Sequence, residues 1–215
     1  ILFSEMLSVW TVAFWQNLKC PKNINLIELG AGNGQMMYDM INSFKSFPEF
    51  NKSCKFYIFE TSPYLKKIQK EKLKEFNVIW IKNLNEIKKN YNIFIANEFF
   101  DALPIKQFFN INKKWMERFV VLEKNNKKKF INFNSNIKKI EKKIGFKISK
   151  NQKIIEYSPL GFEYLKIISK KINKKKGGLL IIDYGYLENS MKNTLMTIRK
   201  HKISKLFEEF GNSDI

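Results

Sequence analysis

A short apolar strand ends in an acidic residue and runs at once into three alternate glycines: Asn25-Leu26-Ile27-Glu28-Leu29-Gly30-Ala31-Gly32-Asn33-Gly34. No other segment constrains the fold as tightly. Such a strand delivers the backbone to the carboxyl edge of a sheet, where glycines allow positive φ and let a ligand lie against bare backbone. The spacing then narrows the ligand. A dinucleotide fingerprint needs its third glycine one position later, where this chain has Gln35. Glu28, just ahead of the loop, suits a cationic amino group better than a pyrophosphate.

An acidic residue followed by Gly-x-Gly-x-Gly is the pattern of S-adenosylmethionine sites, so that sulfonium nucleoside is the expected cofactor. Glu28, Gly30, Gly32, Asn33 and Gly34 are its first candidate contacts. Glu60 closes the next apolar run, 55–59, at the separation where such folds hold a ribose; a carboxylate there accepts hydrogen bonds from both sugar hydroxyls. Thr61 follows it. Ser62-Pro63 is a helix N-cap with proline in the first turn, and Leu65, Ile68 and Leu73 give that helix its expected buried stripe.

The rest of the chain alternates in the same way. Helix is expected over 2–19, with Leu2, Met6, Val9, Trp10, Ala13 and Phe14 at helical spacing, and again over 35–47, ending before Pro48. Strands are expected at 24–29, 78–81, 91–96 and 179–183, the last preceded by Gly177-Gly178. Strand-like runs at 106–111, 115–122 and 129–133 break the alternation, and a helix opens at Pro159 and runs to about Asn173. This predicts an α/β chain with a doubly wound, mostly parallel sheet and a β-rich insertion over 105–150 on the substrate side of a single domain, 1–215.

Composition excludes several classes. The net charge is +19, but the first fifty residues hold three lysines against four acids, so the excess lies beyond Asn51. Only Arg118 and Arg199 are arginines, the residue preferred for bidentate phosphate and base contacts. Lysine mixed with Asn, Ile and Phe reads as AT-rich codon usage, and nucleic acid is not the expected partner. Cys20 and Cys54 stand far apart, which excludes a disulfide framework or zinc ribbon and points to a reducing compartment. His201 is the sole histidine, so no metal is expected. No apolar run approaches the roughly 20 residues of a membrane span. The chain begins at Ile1 and stops mid-pattern at Asp214-Ile215, and is expected to be truncated at both ends.

A second constellation, Asn97-Glu98-Phe99-Phe100-Asp101-Ala102-Leu103-Pro104, directly follows the fourth expected strand. In this fold that strand end faces the methyl-bearing sulfonium. Asn97 is a further cofactor candidate, Glu98 and Asp101 are the candidate catalytic carboxylates, and Phe99 and Phe100 stand between them on the substrate side. Capping of a short helix explains one acid but not the cluster. Glu156, before Ser158-Pro159, is a candidate for substrate contact or for a local structural role. Asp183 either faces the pocket or caps its own turn.

These blocks together resemble the MidA-like methyltransferases, bacterial proteins related to the mitochondrial complex I assembly methyltransferase. Phe3-Ser4-Glu5-Met6-Leu7-Ser8-Val9-Trp10 is similar to that family's first helix, with Ser4 and Ser8 where glycines are usual. Glu28 to Gly34, Glu60-Thr61-Ser62-Pro63 and Asn97 to Pro104 follow in order. Asp183-Tyr184-Gly185, Arg199-Lys200-His201-Lys202 and Gly211-x-x-Asp214 complete the set. The resemblance implies a Rossmann-like class I fold whose last two of seven strands lie beyond Ile215. It implies methyl transfer from S-adenosyl-L-methionine, leaving S-adenosylhomocysteine, to an arginine nitrogen of a protein such as a complex I subunit. RNA methylation, or cofactor binding by an assembly factor with little catalysis, are the alternatives. The expected compartment is the bacterial cytoplasm, with the mitochondrial matrix as the alternative; the oligomeric state is left open.

Overall fold

A computed structural model describes residues 2–185, 192–199, 202–204 and 206–207. Lys200, His201 and the Gly211-x-x-Asp214 block, all singled out from the sequence, lie outside the described residues. The described chain forms two compact units, one of residues 1–101 with 163–184, the other of 102–162 with 185–215.

The first unit is built on a five-stranded sheet of β1 (Ile24–Leu29), β2 (Cys54–Phe59), β3 (Val78–Ile81), β4 (Tyr91–Asn97) and β9 (Gly177–Ile182), in the order β3-β2-β1-β4-β9. Every pairing is parallel. All six residues of β1 are buried, Glu28 included, as expected of a strand covered on both faces. Helices α1 (Leu2–Asn17), α2 (Gln35–Phe44), α3 (Pro48–Ser53) and α4 (Pro63–Lys72) complete this part of the chain with β1 to β3. The core gathers around Phe44, which is fully buried and stacks on Phe56 with ring centroids 5.9 Å apart and tilts on Phe50 at 4.7 Å.

Helix α1 buries a different face from the one its apolar spacing predicts. Leu2, Met6 and Val9 are exposed; Ser4, Leu7, Ser8, Thr11, Val12 and Trp15 are buried. Small hydroxyl residues permit close packing; Ser4 Oγ donates to Asp39 Oδ2 on α2 at 3.4 Å, and the other two hydroxyls are satisfied within the helix. Ser8 Oγ donates to the Ser4 carbonyl at 2.8 Å and Thr11 Oγ1 to that of Leu7 at 2.7 Å. Ser4 and Ser8 thus keep the buried positions where the resemblance has glycine.

Pro48 opens α3, where its fixed φ and missing N–H suit the first helical position, so α2 stops at Phe44 rather than at 47. Gly177 is the first residue of β9, not a lead-in to it. A Cβ there would overlap the Asn92 carbonyl, so only glycine lets β9 approach β4 at that point.

The second unit holds an antiparallel sheet of β5 (Lys106–Ile111), β6 (Lys114–Leu122), β7 (Lys128–Asn134) and β8 (Ile154–Tyr157), ordered β7-β6-β5-β8. The β-rich insertion is therefore present and gains β8, a strand the sequence reading did not assign. Helix α5 (Ile137–Ile144) covers the lysine run at 138–143, burying Ile140 and capped by Asn136 and Gly145. On β6 the Arg118 guanidinium lies 3.9 Å from the Phe109 ring centre and 4.8 Å from that of Phe130. Helix α6 (Pro159–Lys175) begins in this unit. Strands β10 (Thr197–Arg199) and β11 (Lys202–Ser204) pair antiparallel, Arg199 opposite Lys202.

Candidate functional site

Sheet register places the candidate residues. Leu29 lies level with Phe59 of β2 and with Ala96 of β4, so the next residues, Gly30, Glu60 and Asn97, reach one edge of the sheet together. Strand order reverses between β1 and β4, and in open α/β sheets ligands bind outside the carboxyl ends at that reversal.

The glycine loop makes a sharp turn. Gly30, Gly32 and Gly34 all have positive φ, of 66°, 52° and 82°. A Cβ on Gly32 would meet nothing within 4 Å, so this face of the loop opens onto space. A Cβ on Gly30 would lie 2.7 Å from Phe99 Cδ2, and Gly34 begins α2. Exposed Asn33 turns its Oδ1 back to accept the Gln35 N–H at 3.0 Å.

Beneath the loop, Glu28 is 3% exposed and its Oε2 has no hydrogen-bond partner. Burial alone pushes its carboxyl up to about 8. An orphaned buried carboxylate oxygen is costly, and a ligand ammonium group would satisfy it.

Glu60 is also buried but well partnered. Its Oε1 accepts the Ser62 N–H at 2.8 Å and its Oε2 the Gln69 side-chain amide at 2.9 Å. Thr61, beside it, is exposed. Gln69 is fully buried on α4, in line with Leu65 and Leu73 at four-residue spacing. The sequence reading gave that stripe to apolar residues and passed over it. A polar residue in register with Leu65 and Leu73 was the available signal.

The acidic turn follows β4. Glu98 adopts a left-handed backbone, φ 46°, uncommon for a residue with a side chain and concentrated at functional sites. Its N–H donates to the Ile182 carbonyl at 2.8 Å. Phe99 is buried while Glu98 and Asp101 are exposed, so the carboxylates and the intervening ring face different ways. Phe99 meets Phe59, Phe100 and Tyr164 with ring centroids 6.1, 5.2 and 5.8 Å away. Tyr164, on α6, is the second residue that the sequence reading missed. Asp183 is the residue that ties the turn down. Its Oδ2 accepts the Asp101 N–H at 3.3 Å and its Oδ1 the Tyr184 N–H at 2.9 Å, which favours the capping alternative over a free pocket-facing acid.

Glu156 lies in the second unit. Its carboxylate accepts from the Gln107 side-chain amide and from both the backbone and the hydroxyl of Thr194. Elsewhere in the first unit a cavity of about 620 Å³, lined among others by Tyr57, Phe76 and Trp80, includes none of the glycine-loop residues, Glu60 or Glu98.

The family described as "Putative S-adenosyl-L-methionine-dependent methyltransferase" matches residues 6–215. The chain belongs to that family. Its MidA-like character is also clear among curated relatives. A protein of Xenopus laevis named protein arginine methyltransferase NDUFAF7, mitochondrial, is 26% identical over 240 residues, across 100% of this chain and 54% of its own length. The Caenorhabditis elegans homolog is 27% identical over 236 residues, across 100% of this chain and 55% of its own. The human protein of the same name is 24% identical over 240 residues, with 100% and 54% covered. The chain thus spans about half the length of the curated relatives it matches.

Among solved structures, a Burkholderia thailandensis protein described as a "COG1565 superfamily member and likely methyl transferase" and bound to S-adenosyl-homocysteine superposes with a TM-score of 0.75. It is 18% identical, with 99% of this chain and 56% of that one covered. A second, native structure of a protein from the same organism gives 0.76, also at 18% identity, with 99% and 58% covered. This likeness establishes the Rossmann-like methyltransferase fold. Among the described residues, no helix of the MidA-like chain is long and apolar enough to cross a membrane.

Proposed function

We propose that this MidA-like chain carries the cofactor site and acidic turn of an S-adenosylmethionine-dependent methyltransferase acting on an arginine side-chain nitrogen of a protein. One observation carries the reading: register brings the glycine loop, Glu60 and the Asn97–Asp101 turn to a single sheet edge at the reversal between β1 and β4.

The residues present fit the cofactor. Orphaned Glu28 Oε2 calls for a cationic donor, and the open face at Gly32 is space that a side chain would fill. The cofactor, when bound, supplies an electrophilic methyl carbon on a sulfonium sulfur. Glu28 would hold its amino group, Gly30 to Gly34 with Asn33 its backbone-facing side, and Glu60, with Thr61 beside it, its ribose. Asn97 closes that set at the end of β4.

Glu98 and Asp101 would accept hydrogen bonds from a guanidinium and so fix one nitrogen toward the cleft. Their charge would also stabilise the cationic product. Half-buried Phe100 is the aromatic candidate for substrate contact beside them, while buried Phe99 backs the turn against Gly30, Phe59 and Tyr164. Glu156 is the remaining candidate for substrate contact; its ties to Gln107 and Thr194 support a structural role there. The relatives' names, protein arginine methyltransferase and mitochondrial, support a protein arginine as substrate and a mitochondrial compartment over a bacterial cytoplasm. A complex I subunit is the substrate that the MidA-like resemblance implies.

The test is methyl transfer from labelled cofactor to arginine-containing peptides by a full-length protein, with Glu98→Gln and Asp101→Asn beside the wild type. Label on arginine that both variants lose supports the reading. Near-wild-type rates in both, or label carried only by RNA, contradict it.

A further inference from the structure

Gln69 meets the cofactor-site elements from outside any sequence motif. Its single amide nitrogen donates twice, to the Gly32 carbonyl at 2.9 Å and to Glu60 Oε2 at 2.9 Å. Its oxygen accepts the indole N–H of Trp80 at 3.0 Å. An indole nitrogen can only donate, so Trp80 fixes which end of the amide is oxygen and therefore aims both N–H groups at the loop and the carboxylate. The loop also rests on this residue. A Cβ on Gly34 would lie 3.4 Å from Gln69 Cγ and 3.5 Å from its Cα.

The side chain is 0% exposed, and both donor hydrogens and an acceptor lone pair are in use. Gly32 can take its left-handed φ of 52° without strain but can equally take others, and the Gln69 bond to its carbonyl selects this one. Glu60 receives Ser62 on one oxygen and Gln69 on the other, so each oxygen keeps an acceptor direction for a ligand. From these contacts we infer that Gln69 is a positioning residue of the cofactor site. It locks the glycine loop and the sugar-binding carboxylate into one unit before the ligand arrives, with Trp80 holding its orientation. This rests on the cofactor reading given under Proposed function.

The experiment is titration calorimetry with S-adenosylhomocysteine between pH 6 and 8.5 on the wild type, Gln69→Met, Gln69→Glu and Trp80→Phe, with a thermal melt of each. Gln69→Met keeps the length and loses both donors, so affinity falls by about 10- to 100-fold, the cost of leaving two acceptors without their donor. Trp80→Phe keeps the ring and frees the amide to flip, giving a smaller loss of about 3- to 10-fold. Gln69→Glu sets a second carboxyl against Glu60, and the two must share a proton to meet. Its affinity relative to wild type is therefore lowest at pH 8.5 and recovers toward pH 6.

That pH-dependent ratio is the readout that a purely structural role would not move, and it stands even where Gln69→Met fails to fold. Wild-type binding with all three variants within twofold of it, or a Gln69→Glu deficit flat across pH, overturns the role of Gln69 alone. No binding by the wild type overturns the cofactor reading and this inference with it.

Discussion

Phe99 packs directly over Gly30: a Cβ added to Gly30 would lie 2.7 Å from Phe99 Cδ2, too close for any unshifted side chain. The glycine loop and the acidic turn are therefore in contact through one ring and one missing side chain. Gly30 is glycine for two reasons, this approach and its φ of 66°. Gly30→Ala is expected to cost about 1–3 kcal/mol from overpacking and backbone strain together. Adding Phe99→Leu should return part of that loss, because residues in contact do not act additively. Denaturant melts of the two single variants and the double variant measure it; strict additivity would separate the loop from the turn.

Glu28 gives the unliganded protein a pH dependence. Its carboxyl is pushed up to about 8 by burial, from an ordinary value of 4.5. Between those values the folded state holds a proton that the unfolded state has released. This contribution is complete below the ordinary value and is lost as pH rises through about 8. Unliganded wild type should thus melt lower at pH 8.5 than at pH 6, and Glu28→Gln should flatten that difference. A ligand ammonium group needs the ionised carboxylate, so binding near neutral pH should release a proton. Calorimetry in buffers of different ionisation enthalpy detects it. Binding without proton release would remove Glu28 from the amino-group role.

Asp183 anchors the acidic turn through the Asp101 N–H. Asp183→Ala should lower methyl-transfer turnover by about tenfold, the usual size of one lost charge-assisted hydrogen bond, while leaving S-adenosylhomocysteine affinity within about twofold. Parallel kinetics and calorimetry separate the two effects. An equal loss in both would mean that Asp183 supports the whole sheet edge rather than the turn.

The two faces of α1 should differ sharply. Met6→Ser, on the exposed face, is expected to change stability by under about 0.5 kcal/mol, whereas buried Leu7→Ala should cost about 2–4 kcal/mol. Urea melts of the two variants decide this. The opposite order would restore the face that apolar spacing alone selects.

That reversal shows where the sequence was readable and where it was not. The strands β1 to β4 were legible because each is a short, largely apolar run bounded by glycine, proline or polar residues, and β1 and β4 are buried along nearly their whole length. That the glycine loop, Glu60 and the Asn97–Asp101 turn meet at one sheet edge was legible because each sits immediately after one of those strands. Helix α1 misled because its packing uses Ser4, Ser8 and Thr11, small hydroxyl residues that leave no hydrophobic trace; Ser8 and Thr11 are satisfied inside the helix and Ser4 by Asp39 of α2. Pro48 misled because a proline can open a helix as well as close one. Gln69 left only one trace, a polar residue in register with Leu65 and Leu73. Its value comes from three partners far apart in the chain, Gly32, Glu60 and Trp80, none of which its neighbours announce.

The cofactor's place on the glycine loop is tested most directly by calorimetric titration of S-adenosylhomocysteine into Gly32→Val. A valine side chain would project into the open face where nothing lies within 4 Å, so the fold should survive with a backbone strain cost of about 1–2 kcal/mol. The account predicts a wild type that binds and a variant that melts cooperatively yet binds at least about 100-fold more weakly, as a filled ligand space requires. A folded Gly32→Val with the wild type's affinity would contradict it.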